Sequence, residues 1–395
     1  MQHQARWRSE AMLPPPRRIE VVDDRLGADR ALHLASEGTG LLWRGDFHNA
    51  RQLLQALSRR LEARARRSKG RVPAARGGGS PGAAPSTDPA SSQPGDSQAL
   101  AFYRYRQAQG QRARVLSMLV IELDGARRID LPRAPDLRSA CEQAWGSPDG
   151  QPELVSLREL QGVVGAYEWR RKGVEIPSLG RIHPHYGVFS PVRGEYLDLI
   201  ASAPLPPGLE RAFDLGTGTG VIAALLARRG VPQVVATDLS ERALACAKDN
   251  LSQLGLADRV QLLRADLFPP GQAGLVVCNP PWLPGRAASP LEAAVYDPDS
   301  RMLRGFLAGL AAHLTPGGEG WLVLSDLAEH LGLRTREALL AWMADAGLRV
   351  IDRLDIRPRH PRAQDADDPM AHARRREVTS LWRLAALAAA GPAAG

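Results

Sequence analysis

Residues 173–388 predict an α/β domain with a mostly parallel sheet covered by helices on both faces, preceded by a small, mainly helical domain. Three observations carry that expectation. From Gly173 onward, strand-length apolar runs alternate with helical patterns at regular spacing. A glycine-rich turn joins the first long strand to its helix. The front 150 residues instead space their leucines by three and four, as one face of a helix requires.

Within the front region, Asn49 to Leu61 carries Leu53, Leu54, Leu57 and Leu61 on one helical face. Ala99 to Leu123 and Pro135 to Trp145 read as further helices, the first closing with the apolar run Val115 to Leu123. The dense segment Trp43 to Asn49 reads as a helix entry capped by Asp46 or Asn49. No catalytic motif is legible here. Between the helices lies a low-complexity stretch of Gly, Ala, Ser and Pro that cannot bury enough surface to offset the entropy of ordering. The expected boundaries are 1–68 and 99–172 for the two parts of the accessory domain, with a disordered insertion over 69–98.

In the second region, strands are expected at Arg211 to Leu215, Gln233 to Asp238, Val260 to Leu263, Gly274 to Cys278, Gly320 to Leu324, Leu348 to Leu354 and Glu377 to Trp382. Helices are expected at Gly220 to Arg229, Glu241 to Leu254, Met302 to Leu314 and Thr335 to Ala346. In such a sheet the ligand sits at the carboxyl ends of the strands, where the strand order reverses.

Composition narrows the function classes. With 44% hydrophobic and 24% charged residues among 395, the chain can build real cores. Three scattered cysteines, Cys141, Cys246 and Cys278, exclude a disulfide framework and a C-x-x-C zinc site. No run approaches about 18 apolar residues, and the polar start, Met1 to Arg8, has no apolar segment behind it, so a cytoplasmic location without membrane contact is expected. The net charge of +8 invites a nucleic-acid partner. Most of it, however, lies between Ser58 and Arg76, where eight basic residues face the single acid Glu62. A solvated helix end explains that run at least as simply as an RNA-gripping arm. Only Lys69, Lys172 and Lys248 are lysine among the 51 basic residues, which reads as genomic bias.

Four motifs carry chemistry. In Phe213-Asp214-Leu215-Gly216-Thr217-Gly218-Thr219-Gly220-Val221 the glycines let the chain turn tightly and let a ligand approach bare backbone. Asp214, two residues before the first glycine, would repel a pyrophosphate but can meet the ammonium of an amino-acid-bearing cofactor. The G-x-G-x-G spacing also departs from the dinucleotide G-x-G-x-x-G. Asp238 ends a strand 22 positions beyond Gly216, where it can accept from both ribose hydroxyls; the alternative, a helix N-cap, is better filled by Ser240. Asp266, in Arg264-Ala265-Asp266-Leu267-Phe268, can accept from an adenine amino group.

The fourth motif decides the reaction. In Leu275-Val276-Val277-Cys278-Asn279-Pro280-Pro281-Trp282-Leu283 the prolines fix the backbone without offering N–H donors. The Asn279 side-chain oxygen and the Pro280 carbonyl can each accept a hydrogen from a planar NH2 group, while Trp282 stacks on its face. Held so, the nitrogen lone pair is aimed at an electrophile.

In these residues the sequence resembles the class I S-adenosylmethionine-dependent methyltransferases, in the amino-group branch marked by N/D-P-P-Y/F/W. Within it the chain looks most like HemK-type glutamine methyltransferases and their small-domain relatives. The resemblance spans roughly Arg181 to Leu384. It implies a Rossmann-like sheet of seven strands, the last antiparallel, and S-adenosyl-L-methionine as cofactor. The implied cofactor contacts are Asp214, Gly216, Gly218, Asp238 and Asp266, to which Thr217, Gly220, Leu239, Leu267, Asn279 and Phe189 are added as neighbours. Asn279, Pro280, Pro281 and Trp282 are the implied catalytic set, and no metal is expected.

Two features differ from the family's usual pattern. Trp282 replaces the commoner Tyr or Phe, and the upstream Pro, Arg and Glu stand in altered spacing within Tyr186 to Tyr196, a loop expected to cover the methionine end with Phe189 as a wall. His183 and His185 form H-x-H without a third ligand, so a structural role is expected. The mixed-charge loop from Arg357 to Arg376 stands as a recognition element. The expected acceptor is a protein glutamine amide. The alternatives are an exocyclic amine of adenine or guanine in rRNA, a non-catalytic binding protein of the same fold, and a dehydrogenase.

Overall fold

A computed structural model of the chain describes residues 5–70, 94–191, 194–289, 291–358 and 370–387. The chain forms two compact units, Met1–Gly165 and Ala166–Gly395.

The first unit is built on a sheet. Its strands are β1 (Arg6–Arg8), β2 (Arg18–Val22), β3 (Thr39–Trp43), β4 (Leu119–Leu123) and β5 (Glu153–Ser156), in the order β1-β5-β4-β3-β2. The helices are α1 (Ala28–Ser36), α2 (Phe47–Gly70), α3 (Pro94–Leu116), α4 (Arg138–Trp145) and α5 (Leu157–Lys172), the last running on into the second unit. Leu41, Leu42, Leu119, Val120 and Ile121 are fully buried. Helices hold most of the unit's residues, as expected, but the five-stranded sheet they cover was not anticipated. The apolar run Val115 to Leu123 does not close a helix: α3 stops at Leu116 and the remainder becomes β4. A short, continuously apolar run fits a buried strand as well as a buried helix end, and only the neighbours Leu41 and Leu42 of β3, paired with Leu119 and Val120, decide between them.

Leu53, Leu54 and Leu57 are buried on α2 as their spacing predicts, while Leu61 is partly exposed. Asp46 takes the His48 N–H at 2.8 Å, the expected cap. Arg59, Arg60, Arg64, Arg66 and Arg67 of the basic run lie in the second half of α2, where Arg60 pairs with Asp29 at 2.7 Å; Arg71 and Arg76 lie outside the described residues. Residues 94–98 of the expected insertion are helical in α3 and 69–70 belong to α2; its centre, 71–93, lies outside the described residues.

The second unit opens with a hairpin, β6 (Val174–Ile176) and β7 (Gly180–Ile182), and helix α6 (Glu195–Ser202). Then follow β8 (Arg211–Leu215), α7 (Val221–Arg228), β9 (Gln233–Asp238), α8 (Glu241–Gln253), β10 (Val260–Arg264) and β11 (Ala273–Cys278). The short strands β12 (Leu283–Pro284) and β13 (Tyr296–Asp297) pair as a ribbon before α9 (Arg301–His313). The unit closes with β14 (Leu314–Ser325), α10 (Leu327–His330), α11 (Arg336–Asp345), β15 (Leu348–Ile356), α12 (Ala371–Arg376) and β16 (Thr379–Ala386). Every long element lies within a few residues of its expected place, except that β14 begins six residues earlier than Gly320.

The seven-stranded sheet runs β10-β9-β8-β11-β14-β16-β15, parallel apart from β16, which is antiparallel to both neighbours. Two cores lie on its faces. Buried residues of α6, α7 and α8 fill one, and those of α9 and α11 fill the other. Burial on both sides explains why β11 reads as an unbroken apolar run. The chain moves outward from β8 to β9 and β10, then returns to place β11 on the other side of β8. That reversal opens a crevice above β8 and β11.

Close packing of α7 on α8 depends on Gly220. It has φ of +81°, and a Cβ there would sit 3.0 Å from the Ala247 Cβ and 3.1 Å from its Cα. Gly220→Val is expected to lose about 2–4 kcal/mol through strain and overpacking. Urea unfolding checks this, and an unchanged midpoint would contradict it.

Candidate active site

Strand register assembles the site. Leu215 is opposite Thr237 on one side and Cys278 on the other. The next residues along β8 and β11, and the end of β9, are Gly216, Asn279 and Asp238. Three residues distant in sequence therefore emerge together at the carboxyl edge of the crevice.

The loop after β8 is held by its own backbone. Gly216 and Thr217 both donate their N–H to the Thr237 carbonyl, at 2.9 and 2.8 Å. Gly216, Gly218 and Gly220 all have positive φ, which favours glycine at each. A Cβ on Gly218 would meet nothing within 4 Å, so this glycine presents open backbone. Its N–H donates to Asp238 Oδ2 at 3.0 Å, and Ser240 N–H donates to Oδ1 at 2.9 Å. Ser240 itself caps α8, as expected. Burial raises the Asp238 pKa, opposed by backbone hydrogen bonds from Ser240, Gly218 and Leu239, which leave one of the carboxylate's four acceptor positions for another donor.

Asp214 is wholly buried. Its Oδ2 accepts from Thr217 Oγ1 at 2.7 Å and from Ala223 N–H at 3.0 Å, whereas Oδ1 has no hydrogen-bond partner. Burial, aided by the nearby Asp238 charge, pushes its pKa up to about 7.

Leu239, which follows Asp238, and Phe189 are exposed apolar side chains, at 53% and 41%. Leu267 adopts φ of +70°, and its carbonyl accepts from Thr237 Oγ1 at 2.5 Å. Asp266 is engaged differently from expectation. Its Oδ2 forms an ion pair with Arg301 at 2.6 Å, leaving Oδ1 for any further donor.

Beyond β11, Asn279 is partly exposed and Pro280 is buried, while half-buried Trp282 packs against both cores. The indole N–H of Trp282 donates to Asn279 Oδ1 at 2.9 Å. An indole nitrogen can only donate, so this bond fixes which end of the carboxamide is the acceptor. A carboxamide oxygen has two acceptor directions, and one remains.

His183 and His185 lie just past β7 and bind the fold. His183 Nδ1 is 2.6 Å from the Arg170 carbonyl and His185 Nε2 is 2.9 Å from Asp249 Oδ2. No cluster of metal-ligating residues occurs among the described residues. Cys246 and Cys278 are buried, as expected. Of the loop 357–376, residues 359–369 lie outside the described residues, and Arg374, Arg375 and Arg376 end α12.

The methyltransferase small-domain family matches residues 180–338. Three similar proteins are release factor glutamine methyltransferases. That of Cereibacter sphaeroides is 35% identical over 184 residues, 42% of this chain and 63% of the relative. That of Gloeobacter violaceus is 30% identical, covering 57% of this chain and 82% of the relative. That of Deinococcus radiodurans is 32% identical, covering 57% and 80%. The chain belongs to the HemK-type, S-adenosylmethionine-dependent methyltransferases.

The residues of this HemK-type chain fit that cofactor chemically. The unpartnered Asp214 Oδ1 is an acceptor for an ammonium, Gly218 offers open backbone, and Asp238 has acceptor capacity for a hydroxyl group. Two further residues escape sequence reasoning. Tyr196, buried on α6, shares a side-chain hydrogen bond with Asn279 and lies within the field of Asp214; burial raises its pKa. Its sequence signal was only that of an apolar helix face. Asp297, also buried, accepts the Met302 N–H at 3.0 and 2.9 Å and that of Leu303 at 3.2 Å, tying the ribbon after Trp282 to the start of α9. In sequence it reads as an ordinary turn acid.

Asp214 makes stability depend on pH. Its folded pKa of about 7 exceeds the ordinary 3.8, so the folded state binds this proton more tightly. That contribution is complete below 3.8 and is lost as pH rises through about 7. Asp214→Asn keeps the oxygen for Thr217 and Ala223 but removes the titration. The variant is therefore expected to show a shallower fall in urea midpoint between pH 5 and pH 8, about those two limits. A slope equal to wild type would contradict it.

Proposed function

We propose that this methyltransferase transfers a methyl group to the side-chain amide nitrogen of a glutamine in a protein, with residues 173–388 forming the catalytic domain. One observation carries the reading. The register of β8 and β11 sets Asn279, a fixed acceptor flanked by Pro280, Pro281 and Trp282, next to Gly216 of the cofactor loop. The named relatives act on release factors, which supports a translation release factor as the protein.

In this reading Asp214 Oδ1 and the backbone at Gly216, Thr217 and Gly218 hold the methionine part, with Phe189 as its wall. Asp238 takes the ribose, Asp266 takes the adenine amino group, and Leu239, Leu267 and Gly220 shape the adenine side. Bound S-adenosylmethionine supplies an electrophilic methyl group on a sulfonium. Asn279 Oδ1 accepts one hydrogen of the glutamine NH2 through its remaining lone pair, and the Pro280 carbonyl accepts the other. Trp282 provides an apolar face for the flat amide. These contacts draw the nitrogen lone pair out of conjugation and aim it at the methyl carbon. As the new C–N bond forms and the C–S bond breaks, the nitrogen gains positive charge, and its extra proton leaves to water. The residues thus contribute position and orientation, a source of up to about 7–11 kcal/mol.

The test uses methyl-labelled cofactor with purified bacterial release factor in one reaction and ribosomal RNA in another. Label is expected in protein, at a glutamine side chain. Asn279→Ala is expected to lower the rate by about 100-fold with cofactor binding retained, because the nitrogen is no longer aimed. Label confined to RNA would overturn the acceptor assignment.

A further inference from the structure

Cofactor-binding features lie above β8 and β9, so the half of the crevice above β11 and β14 is left for the methyl acceptor. β14 ends there at Ser325, and the chain continues through α10 into a short loop carrying Arg334. This side chain is only 6% exposed, and neither Nε nor Nη2 has a hydrogen-bond partner. Among the described residues it forms no ion pair. Burial lowers its pKa, opposed by the charges of Glu329 and Asp297.

Those two acids act on Arg334 only at a distance, because both are committed elsewhere. Asp297 is occupied by the backbone N–H groups of Met302 and Leu303. Glu329 receives Arg336 Nε at 2.8 and 2.9 Å through its two oxygens. Asp297 is also the register partner of Pro284, two residues after Trp282. A desolvated guanidinium with unmet donors therefore lies within electrostatic reach of the ribbon that follows the Asn279–Trp282 segment. Leaving such a group unpaired costs stability that an acceptor would recover.

We propose that Arg334 is a substrate-recognition residue whose guanidinium binds main-chain carbonyl oxygens of the polypeptide beside the methylated glutamine. The proposal rests on the protein-glutamine reading and adds the group that recognises the surrounding chain. The local charge favours a neutral carbonyl over a phosphate. Asp297, Asp326, Glu329 and Asp355 set four carboxylates among three guanidiniums, Arg334, Arg336 and Arg353, and this field repels an additional anion. A carbonyl carries a partial charge and satisfies the N–H donors without that penalty.

The experiment compares wild type, Arg334→Gln and Arg334→Lys in the full-length chain, using purified bacterial release factor and, separately, ribosomal RNA as acceptors. Arg334→Gln is expected to raise the KM for release factor about 10- to 100-fold, the range for losing hydrogen bonds from a charged donor, with a smaller change in kcat. Cofactor Kd stays at the wild-type value. The thermal midpoint stays level or rises, because an unpaired buried charge has been removed. Arg334→Lys recovers part of the KM loss by restoring a charged donor.

A wild-type KM in Arg334→Gln overturns the proposal while leaving the glutamine reading intact. A raised KM accompanied by a lower midpoint and weaker cofactor binding also overturns it, as that marks a structural role. If wild type labels RNA and Arg334→Gln impairs that labelling, the ligand is a phosphate and both assignments fall. If wild type labels no protein, the glutamine reading fails first and Arg334 loses its assigned substrate.

Discussion

The parallel hydrogen-bond register of β9, β8 and β11 is the constraint on which the site depends. Pairing Leu215 with Thr237 and with Cys278 brings three chain reversals to one level, so that a glycine, an aspartate and an asparagine converge without contacting one another in sequence. Slipping β11 by one residue would turn Val277 and Cys278 to opposite faces and carry Asn279 away from the loop. Because both faces of the sheet are packed, such a slip would also expose core side chains. The cores that stabilise the domain thereby fix the geometry of the candidate site.

Polar groups at this edge are held in states that favour ligands. Asp214 is buried with one oxygen satisfied and one not, and its pKa near 7 reflects a carboxylate lacking full compensation. Arg334 is the cationic counterpart over β14, with donors unmet and the adjacent acids engaged by other partners. Asn279 differs: its oxygen is oriented by the Trp282 indole and so is fixed as an acceptor. Preorganisation of this kind lowers the reorganisation needed when the reacting atoms meet. Neither Phe nor an aliphatic residue at this position could supply that N–H.

Much of the second unit was legible in sequence because its signals are local. The glycines at 216, 218 and 220 announce a turn that few other residues tolerate, and all three have positive φ. The strands at Arg211–Leu215 and Gln233–Asp238 are bounded by such turns and keep the expected ends. The front unit was harder to read. Val115 to Leu123 satisfies the apolar criteria of both helix and strand, and the choice came from β3, more than seventy residues earlier. The ion pair of Asp266 with Arg301 was equally invisible, since it joins a loop to the start of α9 35 residues later.

The sequence by itself determined the α/β alternation, the glycine-rich loop and the Asn279–Trp282 segment, because backbone conformation at glycine and proline and the periodicity of apolar residues are properties of short stretches. Tertiary structure alone decided that Tyr196 reaches Asn279, that Asp297 anchors α9, and that Arg334 is enclosed without a partner. Those outcomes depend on which distant side chains come within a few ångströms and on how much water is excluded between them, and neither is encoded in the spacing of neighbours along the chain.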